Sequence, residues 1–433
     1  TSTYPDLIKG VRGTSNKNHI PEHIVKGILR AKHNIYVNKD GTTRYDMSEL
    51  PITHFKPKEI GTPIGKLKDL GYTHDIHNNK LVSSDQILEL LPQDVILPAS
   101  SESPDEPADE VLIRLCAFID ELLFKVYGQE PFYSLTTKED LIGHLIIGLA
   151  PHISAGTVGR IIGFSNVQAC FAHPLWHAAL RRDCDGDECC FILLMDALLN
   201  FSRQYLPDKI GSRTMDSPLV LTALLKPTEV DDMVHGLDVV WKYPLEFYHA
   251  ALEYKKPWDI PLEQLKSRLN TPLQYEGMGF THDTDNFNKG VVCSSYKLLP
   301  SMQEKLEGQM ILAEQIHAVD ETDVARLVIE KHFLKDIKGN LRKFSQQEFR
   351  CVACNKKFRR PPLVGKCILC GGKIIFTISE GSIVKYLGPS LSLANKYNVS
   401  DYLKQTLLLL QCRIEGYFGK EKEKQVGLGA WFG

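Results

Sequence analysis

Two groups of residues carry most of the chemistry legible in this chain, and they use opposite kinds of donor. The first is Arg181-Arg182-Asp183-Cys184-Asp185-Gly186-Asp187-Glu188, where four carboxylates fall within six residues and three are spaced two apart around a glycine. In extended backbone, residues i and i+2 project to one side, and Gly186 permits a tight turn, so Asp183, Asp185 and Asp187 are expected to converge. Converging carboxylates repel unless a cation sits between them. Hard oxygen donors in this number suit Mg²⁺, which keeps several waters and completes its shell with substrate phosphates, as in metal-assisted phosphoryl transfer. An EF-hand is excluded because the twelfth position counted from Asp183 is Leu194, where a Glu is required. A purely solvated acidic turn is the plainer alternative, but apolar runs flank the loop at Ala178 to Leu180 and Phe191 to Met195.

The second group is Cys351-x-x-Cys354 and Cys367-x-x-Cys370, two pairs separated by 12 residues. Two thiolates from each tight knuckle can close a tetrahedral Zn²⁺ shell with no open position, which predicts a structural zinc ribbon over residues 346–376. Its surroundings are basic: Lys331 to Lys373 holds 12 Lys plus Arg against Asp336 and Glu348. Arg342, Lys343, Arg359 and Arg360 are therefore candidate contacts to a nucleic-acid backbone.

The rest of the chain must position these groups. It has 433 residues, 43% hydrophobic and 24% charged, with 31 Gly, 23 Pro and a net charge of −2. That profile excludes collagen-like, wholly disordered and disulfide-scaffold classes, since 11 Cys are few for this length. No apolar run reaches the roughly 20 residues of a membrane span. The opening residues form no export signal, so a reducing, cytoplasmic setting is the default expectation.

Residues 1–98 read as β-rich, with short runs such as Ile35-Tyr36-Val37 between turn signals and one or two helices. Residues 99–110 carry five acids and two prolines and read as a linker or surface loop. An amphipathic helix runs from Leu112 to a stop at Gly128, with Cys116 as a core residue. A second helix is expected from about Ile192 to Leu206, and strand-like runs at Leu219 to Leu225 and Val239 to Trp241. His173 and His177, four apart, would share a helix face as core or supporting histidines. A catalytic core over 111–300, a helical connector over 301–345 and a C-terminal helical segment over 377–418 complete the expected division. No repeat of 20 to 50 residues is visible.

His173-Pro174-Leu175-Trp176-His177-Ala178-Ala179 leading into the carboxylate loop resembles the catalytic segment of the large subunit of archaeal family D DNA polymerase. Thr53-His54-Phe55-Lys56-Pro57-Lys58-Glu59-Ile60-Gly61, Leu141 to His152, Tyr243 to Tyr248 and Phe280 to Asp285 are similar to further blocks of that family, in the same order. The resemblance implies an α+β, two-barrel core of paired double-psi β-barrels with helical insertions, shared with multisubunit RNA polymerases. It implies that Asp185 and Asp187 hold catalytic Mg²⁺, with Asp183 beside them where the family usually has Asn. It implies a DNA primer-template and dNTPs as substrates and a small exonuclease subunit as partner. Arg181 and Arg182 are then phosphate contacts, and Lys56 and Lys58 second-rank ones. The resemblance covers about the C-terminal third of the family's large subunit, so the chain is expected to be a fragment or one half of a split gene. Two other readings stay open. One is a non-catalytic scaffold that binds DNA and the sliding clamp; the other is an RNA polymerase-like enzyme, suggested by Asp183.

The chain closes on Gln425-Val426-Gly427-Leu428-Gly429-Ala430-Trp431-Phe432-Gly433. Gln425, Leu428, Trp431 and Phe432 look like the peptide with which replication proteins enter a sliding-clamp pocket, carried here on a flexible tail over 419–433.

Overall fold

A computed structural model describes residues 22–38, 40–151, 153–201, 219–279, 285–294, 298–375, 378 and 380–418. It divides into two compact units, residues 1–294 and 295–433. Residues 99–110, expected as a linker or surface loop, lie within the first of these units. Ala108 to Glu110 already belong to a helix and Ser100 is buried, so the acidic stretch is a loop inside the first unit.

The first unit is built on strands β1 (Tyr45–Pro51), β2 (His54–Phe55), β3 (Leu88–Glu89), β4 (Asp94–Pro98), β5 (Leu145–Leu149), β6 (Ala155–Ser165), β7 (Ala169–Ala172), β8 (Glu188–Leu193) and β9 (Val220–Thr222). The main sheet runs β4-β7-β1-β8-β5-β6-β9, and an additional β4–β6 pairing closes six of these strands into a ring. Pairs β1–β7, β4–β6 and β6–β9 are parallel; the other ladders of this sheet are antiparallel. Neither parallel pair of the ring can come from a hairpin, so long connections must cross over.

Strands β4, β5, β7 and β8 are covered on both faces, which explains apolar runs without alternation. Met47, Val95, Ile146, Ile161 and Phe191 belong to one cluster with Leu112, Leu115 and Ile119 of the helix α4 (Ala108–Leu122), which follows the helices α1 (Ile24–Lys32), α2 (Pro57–Ile60) and α3 (Ile64–Asp69). Ile96, Ile162 and Phe171 pack with Phe55, Leu67 and Leu88. Helix α4 runs on through one π turn, Leu123–Tyr127, and stops at Gly128 at φ 62°, as its spacing predicts; Cys116 is buried in that core.

Three expectations change. Ile35 to Val37 form no strand, and Val239 to Trp241 lie beside a single bridge between Asp238 and Gln264. Residues 192 and 193 end β8, and the helix begins at Leu194 and runs to Asn200. Cys189 to Leu193 are buried on both faces, and periodicity cannot separate such a run from a buried helix. Residues 202–206 of that expectation lie outside the described residues.

The second unit is mainly helical, with helices Met302–Gln315, Glu321–Leu327, Leu334–Gln346, Glu380–Val384, Leu387–Lys396 and Asp401–Phe418. Leu306, Met310 and Ala313, with Ile329, Phe333, Ile337 and Leu341, repeat at three or four residues and close one core with Leu403, Leu407 and Ile414. Among the described residues no helix is long and apolar enough to cross a membrane.

Candidate active site and metal centre

The carboxylate loop joins the helix α5 (Pro174–Ala179) to β8, and each end is fixed differently. At the helix end, His173 caps the first turn by accepting the Leu175 N–H at its Nδ1, 3.1 Å away. Trp176 packs against two strands. A Cβ added at Gly148 would stand 2.3 Å from its Cη2, and one at Gly159 would stand 3.2 Å from its Nε1, so glycines on β5 and β6 make the socket for this indole. The chain then leaves α5 through Arg181 at φ 59°, its N–H donating to the Ala178 carbonyl, while the Arg182 N–H donates to His177.

At the strand end, the Glu49 N–H of β1 donates to the Asp187 carbonyl at 3.0 Å, one residue beyond the ladder pair Ser48–Glu188. Cys184 at φ 62° and Gly186 at φ 97° turn the chain between these anchors. Open space surrounds Gly186, so the left-handed backbone alone demands glycine there.

Asp183 and Asp185 are exposed and Asp187 is half-buried, with the Arg182 guanidinium 3.4 Å from its Oδ2. The three aspartates do not close on one point. Among the described residues, the cysteines alone bring three or more ligand atoms within 4.8 Å of one another. Three like charges without a counter-charge separate, and Arg182 draws Asp187 to itself. The donor set of hard, solvent-facing oxygens at a turn still suits a hydrated divalent cation that gathers them on binding. Arg181 is exposed. Lys58 pairs with Asp85, and Lys56 donates to the Asp285 carbonyl at 3.1 Å.

Sequence reasoning missed Glu49. Its side chain is fully buried beneath the loop, with Oε2 3.1 Å from Nδ1 of the equally buried His177. Burial pushes the Glu49 carboxyl up; the backbone N–H groups of Gly186 and Asp185 oppose this, and the Asp187 and Asp185 charges add to it. Burial pushes His177 down to about 4 and His173 to about 3. Both histidines are therefore neutral core residues, as their spacing suggested.

In the second unit, β10 (Phe349–Cys351) pairs with β11 (Lys357–Phe358) and β12 (Ile374–Ile375) and brings the two cysteine pairs together. Cys351 and Cys370 Sγ are 3.4 Å apart, and Cys354 and Cys367 Sγ 3.6 Å. These are too long for disulfides and near the roughly 3.8 Å edge of a tetrahedron with metal–sulfur bonds of about 2.3 Å. The backbone N–H of Cys354 holds the Cys351 thiol below its ordinary value. Four thiols in this arrangement fit one tetrahedral metal ion. Arg342, Lys343, Arg359 and Arg360 are all exposed. Gln425, Leu428, Trp431 and Phe432 lie outside the described residues.

The first unit thus carries an aspartate loop on a closed strand ring, and the second carries a four-cysteine cluster. Residues 2–305 match the family model described as DNA polymerase II large subunit DP2, catalytic domain. The chain belongs to that family. It is 55% identical to the DNA polymerase II large subunit of Archaeoglobus fulgidus over 98% of this chain and 36% of that protein. Against the namesake of Nanoarchaeum equitans it is 51% identical over 97% of this chain and 35% of that protein. Against that of Pyrococcus furiosus the figures are 52%, 95% and 32%. The chain thus spans about a third of the length of these curated relatives.

Proposed function

We propose that this chain is the catalytic portion of a family D DNA polymerase large subunit, adding deoxynucleotides to a primer 3′-hydroxyl during replication. One observation carries the reading: within a family catalytic domain, the aspartate loop is the connection between a helix seated on the strand ring and a strand of that ring. The six-stranded closure with two parallel pairings supports the double-psi form of barrel. Asp185 and Asp187 would hold Mg²⁺, with Asp183 adjacent. Bound there, the ion supplies a lowered pKa at the primer hydroxyl and neutralises phosphate charge. The chain's own part is to aim those oxygens and to offer Arg181 as an exposed contact for phosphates, with Lys56 and Lys58 behind it.

In the second unit, Cys351, Cys354, Cys367 and Cys370 hold a structural Zn²⁺, and Arg342, Lys343, Arg359 and Arg360 face the DNA backbone. The small exonuclease subunit is the partner, and Gln425, Leu428, Trp431 and Phe432 dock the sliding clamp. Asp183 favours one competing reading, an enzyme that accepts ribonucleotides. Primer extension by the full-length large subunit with its small subunit tests both. Extension with dNTPs in preference to NTPs is expected; preference for NTPs, or no extension, overturns the assignment.

A further inference from the structure

Glu49 has no role in the ligand set above, yet it lies where the loop needs support. Its backbone is already part of the loop's anchor through the 3.0 Å bond from its N–H to the Asp187 carbonyl. Its side chain, fully buried, sits under the turn, facing the backbone N–H groups of Gly186 and Asp185 on one side and His177 on the other. The ring of His177 is in turn fixed from behind. Its Nε2 lies 3.3 Å from the Leu50 carbonyl, an acceptor, so Nε2 carries a hydrogen there and the ring is held with Nδ1 toward Glu49. Both Glu49 oxygens and Nδ1 are buried with no other hydrogen-bond partner. The side chain at position 49 thus spans from the ring to the loop backbone, a reach that a glutamine keeps and an aspartate, one methylene shorter, does not.

We propose that Glu49, braced by His177, is a positioning residue that fixes the Asp185–Gly186–Asp187 turn so that its carboxylates can close on a divalent cation. Such supporting residues orient the donors that touch a metal without touching it themselves. The inference rests on the metal-binding reading of the loop.

The test uses the 433-residue chain loaded with zinc, so that the thiolate site is filled, and follows Mn²⁺ binding by electron paramagnetic resonance. Circular dichroism and melting are recorded in parallel. Glu49→Asp is expected to weaken Mn²⁺ binding by about tenfold or more, whereas Glu49→Gln stays within about twofold of the parent. A plain charge or ligand role predicts the reverse order, because aspartate keeps the carboxylate and glutamine loses it. If Glu49→Asp melts early, His177→Asn removes the brace from the ring side, and the same weakening is expected. Parental affinity in folded Glu49→Asp and His177→Asn overturns the proposal, as does a loss in Glu49→Gln equal to that in Asp185→Asn. Asp185→Asn also separates the two readings. If it binds Mn²⁺ like the parent, or the parent binds none, the metal reading fails and this inference falls with it. If it abolishes binding while the position 49 and 177 variants change nothing, this inference alone fails.

Discussion

The four-cysteine cluster and the carboxylate loop are both donor sets gathered around turns, but they are assembled over different distances. The cysteines come together through a short local sheet, β10 with β11 and β12, and their sulfurs already lie at metal-ready separations. The aspartates are held by residues far away in sequence: Glu49 on β1, Gly148 on β5 and Gly159 on β6. Soft ligands collected locally make a staple; hard ligands held by a remote frame stay open to solvent, where a substrate can share the cation. On the proposed function, the structural centre depends on its own knuckles, whereas the reactive one depends on three separate strands of the ring.

The largest effect should come from the hard donors themselves. Asp185→Ala or Asp187→Ala should reduce primer extension by the assembled polymerase to background while DNA binding, measured by gel shift, is retained. Near-parental extension would erase the distinction. Next, Cys354→Ser should lose zinc by elemental analysis and expose residues 346–376 to protease, because such small units fold with their metal. The first unit should keep its melting behaviour; a shared loss would show that the two centres are not independent.

A smaller and more discriminating effect is expected at the frame. Gly148→Ala puts a Cβ 2.3 Å from Trp176, and overpacking of this kind costs about 1–3 kcal/mol. Because α5 must move, Mn²⁺ affinity should fall too, although position 148 is on β5 rather than in the loop. Unchanged affinity with lowered stability would uncouple frame from loop.

The last effect is a pH dependence. His173 is held near 3 against an ordinary value of 6.5 by burial, so the unfolded chain takes up a proton that the folded chain refuses. Stability is thus fully present above about 6.5 and is lost as pH falls through that value toward 3. His173→Asn keeps a capping side chain and should flatten the melting temperature between pH 6.5 and 4 relative to the parent. Asp196, raised to about 6 chiefly by burial, acts in the opposite direction in both proteins and cancels in the comparison.

What could be read from the sequence follows the same division. The cysteine spacing is local, and it announces its geometry without the fold. The aspartate loop was legible as chemistry, because Asp-x-Asp-Gly-Asp is unusual between apolar runs, but its support was not. Nothing about Glu49 in Asp46-Met47-Ser48-Glu49-Leu50 marks it as buried; only the insertion of β1 between β7 and β8 puts it there. The same insertion hides β8, whose two covered faces remove the alternation by which a strand is recognised. Helix α4 and the helices of the second unit were readable because each has one wet face.

The closure of the ring also bears on how the chain is made. Among the described residues, β1 pairs only with β7 and β8 and β4 only with β6 and β7, so each leaves the ribosome before any of these main-sheet neighbours exists. Unpaired apolar strands waiting for distant partners fold slowly and aggregate readily. A nascent chain stalled short of residue 193 should therefore recruit holdase chaperones, and release should follow once the segment bearing the aspartates has emerged.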